Sequence, residues 1–160
     1  MATQTLDTPD ELLHFQLRTA LTMEDDSLAA LGVLEKAAKS AKLKKMFKHH
    51  ADETKDQIEN LHKVFKLLDF KQTTAPSPST KGISKQAESL IKRSDDSLLD
   101  QVVLSSALGN EHYEIAAYKS LIIPVSKMGL ADAAALLTDN LEQETHTSEE
   151  LRAELERMAA

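Results

Sequence analysis

Cysteine and tryptophan are both absent from this 160-residue chain. Without cysteine there are no disulfides and no thiolate ligands, so any metal chemistry must rest on oxygen and imidazole donors. Aromatic residues make up only 4%, and glycine and proline number four each. That scarcity disfavours sheets, and the Ala- and Leu-rich remainder favours helices. No run approaches the roughly 18 apolar residues of a membrane span. The N-terminal MATQTLDTPDELL has neither the basic region nor the apolar stretch of a secretory signal. The expectation is therefore a cytoplasmic protein with no membrane association. Positive charge is also short, and a formal charge of −7 argues against sequence-independent duplex binding, which needs a concentrated basic face. The lysines between Lys36 and Lys48 read as a solvated helix end.

A hydrophobic fraction of 41% over this length suits one all-α domain spanning residues 1–160. The first helix is expected from Thr8, with Pro9 at its first position and an apolar line of Leu13, Leu17, Leu21, Glu24, Leu28, Leu31 and Leu34. Ser40 breaks or caps the chain, and a second helix carries Leu43, Phe47, His50, Glu53, Gln57, Leu61, Val64 and Leu68, forming an antiparallel hairpin with the first. The segment 71–82, KQTTAPSPSTKG, is the clear linker. A short helix over about residues 83–92 is expected to cross the bundle, so that the third helix runs parallel to the second. That third helix is capped near Ser94 and ended or kinked by Pro124, with Leu104, Leu108, Glu111, Ile115, Tyr118 and Ile122 as its stripe. The last resumes near Met128 and Gly129 and presents Leu137, Leu141, Glu144, Leu151 and Leu155.

Each long helix thus interrupts its apolar stripe with acid or imidazole. A buried carboxylate without compensation costs several kcal/mol, whereas a buried leucine contributes about 1.5–3 kcal/mol. Divalent or trivalent cations would supply the missing positive charge. At 1.5 Å per residue, Glu24 and Glu53 stand about 24 and 20 Å from the turn they flank, and Glu111 and Glu144 likewise agree to about one turn. His50 and Glu53 share a face at a spacing of three, as do Glu111 and Glu114. Carboxylate and imidazole donors at such spacings can hold two metal ions.

Two segments, LKKMFKHHADETKDQIENLHKVFKLL at residues 43–68 and GNEHYEIAAYKSL at residues 109–121, carry a resemblance to the YciE/YciF family of bacterial stress-associated, ferritin-like proteins. The likeness runs over about residues 11–155. It implies a ferritin-like four-helix core with a short additional helix in the crossover, a homodimer, and a dinuclear site of Fe or Mn. Carried over by matching segments, the metal ligands are Glu24, His50, Glu53, Glu111, Glu114 and Glu144. Of these we take Glu53 and Glu144 as the bridging candidates. The usual ferritin-like pattern places His three residues after Glu on two helices. Here the order is reversed on the second helix, and Thr147 stands where the other histidine would be.

Around these residues, Gln57 reads as a hydrogen-bonding neighbour, His49 as outward-facing, and Met23 as a core gap-filler. His112 can orient a carboxylate or pack at a partly exposed edge, and Tyr118 can reach a carboxylate or be satisfied elsewhere. His146 points away from the face of Glu144. The functional expectation is a stress-associated di-metal protein, with a di-iron oxidoreductase consuming dioxygen or peroxide as its enzymatic form. The alternative is a non-enzymatic structural or interaction protein that forms a helical dimer. Iron storage is a third class, which needs a closed shell of subunits.

Overall fold

The computed structural model describes residues 5–159, all of whose regular elements are helical: α1 (Pro9–Ala37), α2 (Ala41–Leu67), α3 (Pro78–Arg93), a short 3-10 turn (Asp96–Leu98), α4 (Leu99–Lys127) and α5 (Ala131–Ala159). The first boundary is built by a capping box. The Thr8 hydroxyl accepts from the Glu11 amide at 3.2 Å, and the Glu11 carboxylate accepts from the Thr8 amide at 3.0 Å. Between α1 and α2 the turn is short, and Asp100 of α4 accepts from the backbone N–H groups of Lys39 at 2.6 Å and Ser40 at 3.1 Å. One carboxylate thereby satisfies helix-end donors and fixes the start of α4 beside the α1/α2 turn.

The crossover explains why the halves of the bundle come together as they do. Lys71 accepts from the His14 ring through its carbonyl at 2.8 Å, Thr74 from Arg18 at 3.0 Å, and Ala75 from the Thr22 hydroxyl at 2.6 Å. Further along, the Thr80 hydroxyl donates to Asp26 at 2.7 Å. Contacts advance along α1 as the chain advances, so the crossover runs the length of α1 and delivers α4 at its far end. As expected, α4 is then parallel to α2. The short helix starts at Pro78, five residues before the apolar periodicity begins, because proline suits a first helical turn whose N–H would be unpaired anyway. The long helix starts later than its Ser94 signal, since Asp95 caps the intervening 3-10 turn through the Ser97 amide at 2.9 Å. Pro124 does not end α4. It lies one turn from the C-terminus, where a single lost backbone hydrogen bond matters little, and buried Val125 still packs in the core. The α4/α5 turn relies on Gly129 at φ 73°, a left-handed conformation natural to glycine.

In cross-section the order around the bundle is α1, α2, α5, α4, with α3 laid over α1 and α4. Two apolar cores occupy its ends. One joins Leu13, Leu17 and Leu21 of α1 to Leu61 and Phe65 of α2, Leu121 of α4 and Leu137 of α5. The other joins Leu31 and Leu34 to Leu43 and Phe47, Ala87 of α3, Leu104 and Leu151. At the second end Lys42 and Arg157 converge on the buried Glu154, whose carboxyl these two cations hold down at about 2. No helix of the described residues is long and apolar enough to cross a membrane.

Replacing Leu104, which is 0% exposed, by alanine is expected to cost about 2–5 kcal/mol in denaturant unfolding. Ile123→Ala, at a position 61% exposed, should stay within about 0.5 kcal/mol of the parent protein.

Candidate metal centre

Between the two apolar cores the bundle interior turns polar. The buried residues of this middle layer are Glu24 and Ser27 from α1, His50, Thr54 and Gln57 from α2, Glu111 and Glu114 from α4, and Asn140, Glu144 and Thr147 from α5. Every long helix contributes because each carries its polar residues near mid-length, so assembling the apolar ends brings the middles together. Glu24, Glu114 and Glu144 each present one carboxylate oxygen within 4.8 Å of the other two. Glu111 joins them through a carboxyl–carboxyl hydrogen bond with Glu144, which lowers the tendency of Glu111 to hold a proton and raises that of Glu144.

On α2, His50 Nδ1 lies 3.1 Å from Glu53 Oε2 and 3.2 Å from the Thr147 hydroxyl. Thr147 therefore positions an imidazole from another helix. If Nδ1 carries the proton and donates it to Glu53, Nε2 keeps its lone pair, and that nitrogen is buried without a partner. Glu53 sits at the edge of the layer with its side chain 20% exposed, and its other oxygen meets His49 Nε2 at 3.4 Å. Of the six expected donors, the geometry draws Glu24, Glu114 and Glu144 into one tight group. Glu111 is attached to it, and His50 and Glu53 form an adjoining pair.

Electrostatics express the strain of this grouping. Burial pushes the Glu24 carboxyl up to about 8, against the downward pull of a hydrogen bond from the Tyr118 hydroxyl. Burial likewise raises Glu111, Glu114 and Glu144 well above the usual carboxylate range, and their neighbours' charges add to it. Ser27 and Asn110 partly relieve Glu114 by hydrogen bonding. One buried oxygen on each of these four acids has no partner: Glu24 Oε2, Glu111 Oε2, Glu114 Oε1 and Glu144 Oε1. Unpaired oxygens on three helices and an unpartnered imidazole nitrogen on the fourth form a hard, oxygen-rich donor set.

Tyr118 is fully buried and reaches Glu24, the first of the two roles open to it in the sequence. It also accepts from Asn140 Nδ2 at 3.0 Å, while the same amide group bonds the Gln57 carbonyl at 3.2 Å and Asn140 Oδ1 accepts from Asn60 at 2.9 Å. Asn140, like Ser27, Thr54 and Asn110, is not among the residues singled out from the sequence. Its signal was available, since it precedes Glu144 by four and so shares its face. Gln57 is buried with its side-chain oxygen unpaired, and Met23 lies in the apolar core. His112 is exposed, so of its two readings the edge position holds. His146 is exposed and pairs with Glu150 at 3.4 Å.

A family model described as a domain of unknown function, DUF892, matches residues 8–160. Protein YciF of Escherichia coli K12 is similar at 29% identity over 140 residues, covering 86% of this chain and 84% of its own. Its crystal structure, that of a stress protein, superposes with a TM-score of 0.89 at 27% identity, covering 94% of this chain and 96% of that one. YcfI from Rhodopseudomonas palustris, provisionally described as a structural protein, gives 0.89 at 31% identity over 95% of this chain and 98% of its own.

The metal-free protein should lose stability as pH rises from about 4.5 towards 8. The unfolded chain ionises its glutamates near 4.5, whereas folding holds Glu24 protonated until about 8. Glu154 acts in the opposite sense, its contribution fading as pH falls from 4.5 towards about 2. Thermal unfolding followed by circular dichroism in chelator should therefore peak in mildly acidic buffer. A melting temperature that climbs steadily to pH 9 would contradict the protonated cluster.

Proposed function

The chain belongs to the YciE/YciF-like, DUF892 family of the ferritin-like superfamily, and from that premise we propose that its mid-bundle acids hold two divalent metal ions, Fe or Mn. The observation that carries this reading is the set of buried, unpartnered oxygens on Glu24, Glu111, Glu114 and Glu144 beside the unpartnered Nε2 of His50. Each is a donor already stripped of water and left without a partner, at a cost of about 1–3 kcal/mol apiece. Glu24, Glu114 and Glu144 would form the central ligands, with Glu111, Glu53 and His50 completing the pair of sites.

The surrounding residues hold these donors ready. Tyr118 donates to Glu24 and favours its ionised form, Ser27 and Asn110 do the same for Glu114, and Thr147 fixes the imidazole of His50. Bound Fe or Mn would supply the electrons for reaction with dioxygen or peroxide. Metal binding is the functional conclusion here, and a di-iron oxidoreductase is its enzymatic extension. The second reading is a structural or interaction protein forming a helical homodimer. It is favoured by the provisional description of YcfI and by the Glu144–Glu111 hydrogen bond, in which two carboxyls share a proton without a cation.

Metal analysis after expression in Fe- and Mn-replete medium should find about two ions per chain. Mn(II) should raise the melting temperature most at high pH, where the ligands are otherwise repelling one another. The double substitution Glu114→Gln with Glu144→Gln should raise the metal-free melting temperature at pH 8 and abolish the response to Mn(II). A parent protein that neither carries metal nor gains stability from Fe(II) or Mn(II) would establish the structural reading instead. Tyr118→Phe should shift the pH midpoint of metal loading upward, because Glu24 loses the hydrogen bond that favours its charge.

A further inference from the structure

We propose that cations enter the middle layer through the α2/α5 seam, received by the exposed His49 and handed inward by the Glu53 carboxylate to the His50 side. The proposal rests on the metal-binding reading above. Glu53 is singular among the six donors: its side chain is 20% exposed, whereas Glu24, His50, Glu111, Glu114 and Glu144 are no more than 4% exposed. It also stands between two imidazoles. Oε1 lies 3.4 Å from Nε2 of His49, whose side chain is 68% exposed, and Oε2 lies 3.1 Å from Nδ1 of the buried His50.

Its place on α2 identifies the seam. Glu53 precedes Asn60 by one heptad, and Asn60 bonds to Asn140 of α5 at 2.9 Å, while His50 meets Thr147 of α5. The carboxylate therefore lies along the α5-facing edge of α2. Rotation about its own side-chain torsions moves its oxygens between solvent and interior without disturbing the backbone. An exposed imidazole beside a carboxylate offers a transition metal ion one nitrogen and one oxygen ligand at the surface.

Two other openings reach none of the six donors. The groove of about 250 Å³ between α1 and α4 sets neutral Gln16, Thr19, Tyr113 and Ser120 among apolar residues such as Phe15 and Met23, and it offers a hydrated cation no carboxylate or imidazole. The depression between α4 and α5 does offer His112 and Glu149, but Lys119 and Arg152 stand at its walls and repel cations.

Stopped-flow mixing of the metal-free protein with Co(II), followed by visible absorbance, separates the rate of loading from its extent. His49→Ala should bind as many Co(II) ions at equilibrium as the parent protein but load about tenfold more slowly. His49→Asp should recover most of the rate by restoring a ligand, and His62→Ala should match the parent. Loading of His49→Ala at the parental rate would overturn the route. So would slowing by Ala117→Trp, which fills the α1/α4 groove, with His49→Ala unaffected. Reduced stoichiometry in His49→Ala would make His49 a resident ligand and overturn the relay. Absence of Co(II) uptake by the parent protein would instead overturn the metal assignment itself.

Discussion

Four glutamates buried at one level, on three helices, with no cation bearing on them among the described residues, set the terms for the rest of this molecule. Like charges in a medium of low polarity repel strongly, so the group survives only protonated, mutually hydrogen-bonded or neutralised from outside. The apolar cores above and below hold the helices together despite it. Burial of leucine and phenylalanine at both ends stabilises the bundle enough for the middle to be specialised.

The long helices and the crossover follow from the same constraint. A polar residue at mid-length reaches the centre only if apolar turns flank it on both sides, which requires helices of 27 to 29 residues. Two antiparallel pairs must then be placed level with one another. The crossover achieves this by tracking α1 from Arg18 to Asp26, and Asp100 fastens the result by holding the α1/α2 turn. A slip of one turn in either helix pair would move its acids by about 5 Å and dissolve the cluster.

Protonation and metal loading are competing answers to one electrostatic problem. The Glu144–Glu111 hydrogen bond is the answer with protons, and the unpaired oxygens mark what a cation would use. Tyr118 shifts this balance towards ionisation at Glu24, while Asn140 keeps its hydroxyl in place by donating to it. Likeness to a protein known as a stress protein and to another described as structural is compatible with either answer. Chemistry at this site is therefore a question of occupancy before it is one of catalysis.

Helix number, the first hairpin and the depth of Glu24, Glu111, Glu114 and Glu144 were legible in the spacing of leucines, because a stripe of period 3.6 has only one face to bury. Proline and serine signals were less reliable. Pro78 opened a helix inside the expected linker, Pro124 was absorbed into α4, and Ser94 preceded a 3-10 turn, since local propensities yield where packing continues beyond them. What only the tertiary structure decided is how the donors divide. Glu24, Glu114 and Glu144 converge, Glu53 stays at the rim between His49 and His50, and Thr147 takes up an imidazole instead of a metal-ligand role. Periodicity states which face of its own helix a residue occupies. Which atoms meet depends on the rotation and height of neighbouring helices, and those are set by side chains packing between them.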